Sequence, residues 1–284
     1  MAGPPSTEEP PRRTSGRTIL LSVGAVVVLA VVATVVVLTT RSSTPSTGGT
    51  TTGGGTSTAT GSAGADTSAA KLMGWGEPNR VDEFDGSKLE RPWRPYDGEG
   101  HGGNGRRSPS AITVHDGMLT ITGDDQATTG GLAWGKGQMY GRWEGRVRAP
   151  ASDPTYHALL LLWPDAEDWP VGGEIDFMEL TEPTRQEGNF FLHYADDDKQ
   201  DQKVQGTLNV DATQWHNWAI EWTPDHVVAY LDGKEWFRNN DKDKLPPRPM
   251  HLTVQLDFFP EDNTTSVRQS TMDVDWVKQY PVSS

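Results

Sequence analysis

Three carboxylates crowd one short apolar stretch, Gly172-Gly173-Glu174-Ile175-Asp176-Phe177-Met178-Glu179-Leu180. Such a set suits the cleavage of a glycosidic bond, which needs one charged and one protonated carboxyl flanking it. The pair stands about 5–5.5 Å apart for double displacement, and further apart when a water must fit between. Side chains alternate between the two faces of a β-strand. Glu174 and Asp176 therefore share one face, and Ile175 and Phe177 the other. A regular strand would then carry Glu179 into the apolar face and Leu180 out among the acids, and an unpaired buried carboxylate is costly. One extra residue near Met178, a β-bulge, corrects both positions at once. Across that bulge Glu174 and Glu179 stand four effective steps apart, roughly 13 Å between Cα atoms at about 3.4 Å per step. Two glutamate arms leaning together can close that gap. Asp176 lies between them, placed to hydrogen-bond a neighbouring carboxyl and, through its charge, to keep one Glu protonated. Two other readings stay open: a hard cation held by oxygen ligands, and a solvated acidic face. Trp169-Pro170-Val171 and the apolar content of the stretch argue against the second.

The elements that position these acids read as short strands punctuated by Gly, Pro, Asn and Asp. Asp116-Gly117 between Ile112–His115 and Met118–Ile121, and Asp232-Gly233 between Val227–Leu231 and Lys234–Phe237, are type I′ hairpin signals. Further strands are expected at 138–148, 157–163, 173–180, 189–194, 204–210, 216–222, 251–258 and 271–280. No stretch after residue 38 sustains a helical period. The expectation is an all-β fold, two antiparallel sheets packed face to face. Leu159-Leu160-Leu161-Leu162 lacks alternation and is expected to run through the deepest part of the sandwich. Trp134, behind Gly130-Gly131, is read as a packing residue rather than part of a cleft loop.

Composition bounds the rest. All eleven Trp lie at or beyond Trp75, so the folded domain is expected over 72–284. The chain has no Cys, which excludes disulfides and thiolate chemistry. Its net charge is −14, which argues against nucleic acid as a partner. Ile19–Leu38 is a continuous apolar run of a length that spans a membrane, about 20 residues. It is longer than the apolar part of a cleaved signal, about 7–15 residues. Arg12, Arg13 and Arg17 precede it and Arg41 closely follows, which puts residues 1–18 in the cytoplasm and the domain outside. The Ser/Thr/Gly-rich segment 39–71 reads as a disordered tether. A single-pass membrane protein is thus expected, or a secreted one if the span is cleaved. High-salt and alkaline washing of membranes would release only the cleaved form.

Trp169-Pro170-Val171-Gly172-Gly173-Glu174-Ile175-Asp176-Phe177-Met178-Glu179 resembles the active-site signature of glycoside hydrolase family 16, in the bulged form of laminarinases, agarases and carrageenases. The likeness extends to Val81–Gly86, Tyr140–Val147, Trp215–Pro224 with Tyr230–Gly233, and Met272–Tyr280. It implies a β-jelly-roll sandwich with a carbohydrate cleft and a polysaccharide substrate. By position, Glu174 would be the nucleophile, Glu179 the general acid/base, and Asp176 the support of the nucleophile. Trp169 would stack on a sugar ring, and His193 would face the cleft from the neighbouring strand. No cofactor is implied for the chemistry; a structural calcium occurs in the family, and Asp275 is the position to inspect for it.

The resemblance implies a retaining, endo-acting hydrolase of β-glucan or galactan type. A transglycosylase on the same site and a non-catalytic polysaccharide-binding module are the competing readings. Laminarinase-type members usually carry Gly-x-Trp-Pro-Ala-aromatic-Trp before the catalytic strand. Here the run is Thr155-Tyr156-His157-Ala158-Leu159-Leu160-Leu161-Leu162-Trp163, with both Trp positions changed. Thr181–Gly188 also departs from the common pattern. The Gly-rich segment Tyr96–Arg107 would either line the cleft or form a flexible surface loop.

Overall fold

The computed structural model describes residues 67–261, 264 and 266–282. The apolar run 19–38, the tail before it and most of the tether lie outside these residues. Among the described residues no helix is long and apolar enough to cross a membrane. Within these described residues helix is confined to the single turn Ala69–Leu72 and short 3-10 turns.

Strand-forming runs and tight turns build a two-sheet β-jelly-roll sandwich. The Asp116-Gly117 and Asp232-Gly233 turns have positive φ at both residues, as type I′ hairpins require. The nine-stranded sheet carries the acids, in the order Asp201–Asn209, Glu187–Ala195, Glu174–Leu180, Tyr156–Pro164, Met250–Phe258, Thr128–Trp134, Arg106–Arg107, Gly98–Glu99. Trp93–Pro95 also pairs with Thr128–Trp134. The eight-stranded sheet runs Lys234–Asn239, Val227–Leu231, His216–Trp222, Gly141–Arg148, Ser270–Tyr280, Met118–Gly123, Ile112–His115, with Arg80–Asp82 alongside Ser270–Tyr280. Pairing is antiparallel except where Arg106–Arg107 lies parallel to Thr128–Trp134. The sheets close on a shared apolar core that includes Leu160, Phe177, Phe190, Trp218, Leu252 and Val277.

Three expectations need correction. Thr128–Trp134 is a full strand, although Gly130-Gly131 breaks its sequence pattern. A Cβ on Gly131 would stand 2.8 Å from the Tyr96 ring, so glycine here makes room for that ring against the sheet. Trp134 does pack, nearly parallel to Trp93 at 5.3 Å between ring centres. Next, the Leu run alternates after all: Leu160 and Leu162 enter the core, while Leu159 and Leu161 belong to the opposite face yet are only 4% and 1% exposed.

The third correction concerns where the domain begins. Ala69 and Ala70 are buried, with Trp75, Tyr230 and Tyr280, against the eight-stranded sheet. Their N–H groups donate to Glu144 Oε1 and Oε2 at 2.7 and 3.3 Å. The fold thus starts before residue 72, because a short apolar turn gives the buried Glu144 its donors. Burial pushes the Glu144 carboxyl up to about 7. The folded carboxyl then holds its proton more tightly than the unfolded one, so its contribution to stability falls as pH rises from about 4.5 to about 7. The full effect is about 3 kcal/mol. Glu144→Gln cannot titrate, so the stability deficit of this variant should shrink between pH 5 and pH 8. Urea unfolding at the two pH values measures it; a deficit that grows with pH would refute the assignment.

Candidate active site

The glycine pair sets the entry to the catalytic strand. Gly173 has φ +76°, and a Cβ there would press on Pro246 and the His193 carbonyl. The chain turns at this residue so that Glu174 opens the strand opposite His193. Asp176 lies opposite Phe191, but Glu179 lies opposite Asn189, three residues answering two. On the other side Asp176 and Met178 face Leu161 and Leu160, two residues answering one. The bulge therefore falls at Phe177-Met178. Ile175, Phe177, Met178 and Leu180 all enter the core, and Glu174, Asp176 and Glu179 emerge together on the opposite face. Glu174 and Glu179 are four partner residues apart, 193 to 189, the separation the bulged spacing implies.

Burial dominates the electrostatics. It pushes the Glu174 carboxyl up to about 7, against hydrogen bonds from Asp176 and the Trp169 indole that pull it down. Asp176 is also pushed well above the usual carboxylate range, first by burial and then by the charges of Glu174 and Glu179. Its Oδ1 is buried without a hydrogen-bond partner, an arrangement that disfavours a charge there.

His193 sits between two acids, with Nε2 3.6 Å from Asp176 Oδ2 and Nδ1 2.9 Å from Asp201 Oδ1. Trp169, 42% exposed, lies at the rim with its ring centre 6.0 Å from that of His193. Ligand atoms of Glu174, Asp176 and His193 come within 4.8 Å of one another, and this is the set among the described residues whose spacing suits a metal ion. Asp275 is elsewhere, on the eight-stranded sheet, with its Oδ2 3.1 Å from Arg146 Nε.

A cavity of about 630 Å³ opens beside the acids, bounded by Glu174, Trp169, Leu161, Gln255, Tyr96 and Arg107. Tyr96–Arg107 therefore lines the cleft. It is pinned there by Arg107, which donates from Nε and Nη2 to Asp257 at 3.0 and 2.5 Å, and by the Tyr96 hydroxyl 3.2 Å from Thr253 Oγ1. Sequence reasoning did not single out Asp257 or Asp201. It also passed over His157, whose Nδ1 is 3.0 Å from Glu179 Oε1. Strand parity was the available signal: His157, Leu159, Leu161 and Trp163 share the face that carries Glu179. Set against the laminarinase pattern, the two altered Trp positions are His157 and Leu161, one beside Glu179 and the other lining the cavity. In Thr181–Gly188 the buried Arg185 donates to the carbonyls of Leu180 and, at 2.7 Å, Tyr156.

Comparison with known proteins shows the family. A beta-glucanase of Rhodothermus marinus is 31% identical over 214 residues, 62% of this chain and 73% of that protein. An endo-1,3-1,4-beta-glycanase of Rhizobium meliloti (strain 1021) is 26% identical over 196 residues, covering 62% of this chain but 41% of its own length. The LamAcat structure from Zobellia galactanivorans superposes with a TM-score of 0.63 at 19% identity, covering 74% of this chain and 99% of that one. The sequence profile of glycosyl hydrolases family 16 matches residues 104–278, from the cleft loop through the acids to the last strand. The chain belongs to that family and is a glycosidase.

Proposed function

We propose that the chain is an endo-acting glycosidase that cleaves a neutral β-linked glucan with retention of configuration. The observation that carries this is the bulge at Phe177-Met178, which gathers Glu174, Asp176 and Glu179 on one face of the strand. Glu174 attacks the anomeric carbon while protonated Glu179 gives its proton to the departing glycosidic oxygen, leaving a glycosyl ester on Glu174. Glu179, now a carboxylate, takes a proton from water as the water oxygen attacks the same carbon. The ester bond breaks, Glu174 regains its charge and Glu179 its proton.

The position of the acids supports cleavage within a chain. Two strands lie on one side of Glu174–Leu180 and six on the other, so a polymer can extend past the acids both ways. Asp97, Glu99 and Glu167 line the cavity, and their charges oppose sulfated or uronic polymers. Trp169 offers an apolar face to a sugar ring. The relative named a beta-glucanase points the same way. The apolar run 19–38 would hold this activity at the outer face of a membrane.

The experiment is a panel of β-1,3-, mixed-linkage and β-1,4-glucans with galactans, followed by viscosity, new reducing ends and proton NMR of the anomeric signals. The expected result is a fall in viscosity ahead of reducing ends, with the β-anomer appearing first. An α-anomer formed first would overturn the double displacement. Transfer products in place of free ends would make the enzyme a transglycosylase.

A further inference from the structure

We infer that His157 is a positioning residue for the acid/base Glu179, fixing which of its two carboxyl oxygens carries the proton. This rests on the role proposed above for Glu179. His157 lies on Tyr156–Pro164 with its Nδ1 3.0 Å from Glu179 Oε1, and both side chains are largely buried. Its ring stacks on Phe259 at 4.4 Å and 18°, and His101 covers Phe259 at 4.3 Å. The polar groups around it are few. Asp257, its partner across the strand pair, is taken by Arg107 and by Gln255 Nε2 at 3.3 Å. His101 is separated from it by the Phe259 ring, and Glu174 and Asp176 engage each other beyond Glu179. Among the described residues Glu179 is the acceptor that remains, so in this proposal Nδ1 carries the hydrogen and donates it.

The backbone supports the same geometry. Arg185 donates to the carbonyls of Tyr156 and Leu180, the residues next to His157 and Glu179. One buried guanidinium thus ties together the two strand ends that present the pair, which limits how far the carboxyl can drift from the imidazole.

The chemical consequence follows from carboxyl geometry. With Oε1 accepting from Nδ1–H, the proton of the acid sits on Oε2, the oxygen left free for the departing group. After it is given up, the same Nδ1–H stabilises the carboxylate until it takes a proton from water. His157 touches neither proton in transit; it acts through Glu179.

The test compares His157→Asn, His157→Gln and His157→Leu on a β-glucan oligosaccharide and on an aryl β-glycoside whose phenolate leaves without acid help. Asn can place an N–H near the Nδ1 position; Gln and Leu cannot. Expected for Gln and Leu is a loss of about 10–100-fold in kcat/KM on the oligosaccharide, with less than about threefold on the aryl glycoside. The alkaline limb of kcat/KM should move to higher pH, since the carboxylate loses a donor. Asn should recover most of the oligosaccharide activity and the wild-type limb. Equal losses on both substrates with an unmoved limb, or Gln matching Asn, would overturn the proposal. Glu179→Gln run alongside separates the two ideas. If it spares the oligosaccharide, the assignment of Glu179 fails, and the role of His157 with it. If it behaves as an acid/base variant while the His157 series does not, the His157 proposal alone fails.

Discussion

Glu174→Ala should lose at least about 10⁴-fold in turnover of a β-glucan, and azide should restore activity on an aryl β-glycoside with the opposite configuration in the product. The geometry makes both parts of this result follow. In the proposed double displacement Glu174 is the attacking carboxylate, beside a buried Asp176 whose carboxyl is raised well above the usual carboxylate range. Removing the carboxylate removes the atom that attacks the anomeric carbon, and it leaves a space of anionic character at that place. Azide filling the space attacks once, from the face Glu174 used, so the glycosyl azide has the α configuration. The companion variant Glu179→Ala should behave differently. Its glycosyl-enzyme forms from an aryl glycoside and waits for a base, and azide, which needs none, then attacks the ester from the opposite face to give the β-azide. Proton NMR of the anomeric signal distinguishes the two. β-azide from Glu174→Ala would exchange the roles of the two glutamates, and unchanged turnover in either variant would remove that residue from the chemistry.

The bulge was legible because the rule behind it is strict. A strand has period two, and Glu179 and Leu180 could not both lie where the period put them without burying a charge and exposing a leucine. The hairpins at Asp116-Gly117 and Asp232-Gly233 were legible for a similar reason, since few residue pairs accept two positive φ values. What escaped the sequence was pairing between distant strands. His157 looked like the start of an apolar run, and only the register that sets Leu159 against Glu179 shows it two residues along the same face. Asp257 is one acid among many until Arg107, 150 residues earlier, folds back to meet it. The strand Thr128–Trp134 was hidden by Gly130-Gly131, whose lack of side chains reads as a loop but makes room for the Ile112 side chain and the Tyr96 ring, both distant in sequence. Glu144 shows the same limit: its buried position beside Ala69 and Ala70 depends on a segment whose composition reads as tether.

The Arg107–Asp257 pair carries the second large expected effect, and it concerns the wall of the cleft rather than the acids. Asp257 has no exposed side-chain surface, and the Arg107 guanidinium bonds both its oxygens while lying over the Tyr96 ring at 5.6 Å. A buried pair of this kind contributes little compared with an apolar pair of the same shape, but breaking it by removing one partner leaves a stranded charge and costs about 3–5 kcal/mol. Arg107→Met should therefore destabilise the domain by about that amount, since Asp257 keeps only the 3.3 Å contact from Gln255. Asp257→Leu should do the same by stranding the cation, though less, because Arg107 retains a route toward solvent and the field of Glu174. The double variant should recover most of the loss. Urea unfolding of the four proteins gives the coupling directly. Kinetics should separate the wall from the chemistry: the pair holds Tyr96–Arg107 against the cavity and lies outside the acid trio, so the double variant should raise KM for a glucan chain more than it lowers kcat. If the single variants are each within about 1 kcal/mol of wild type, the pair does not hold the wall, and the loop is fixed by its backbone pairing and the Tyr96–Thr253 contact instead.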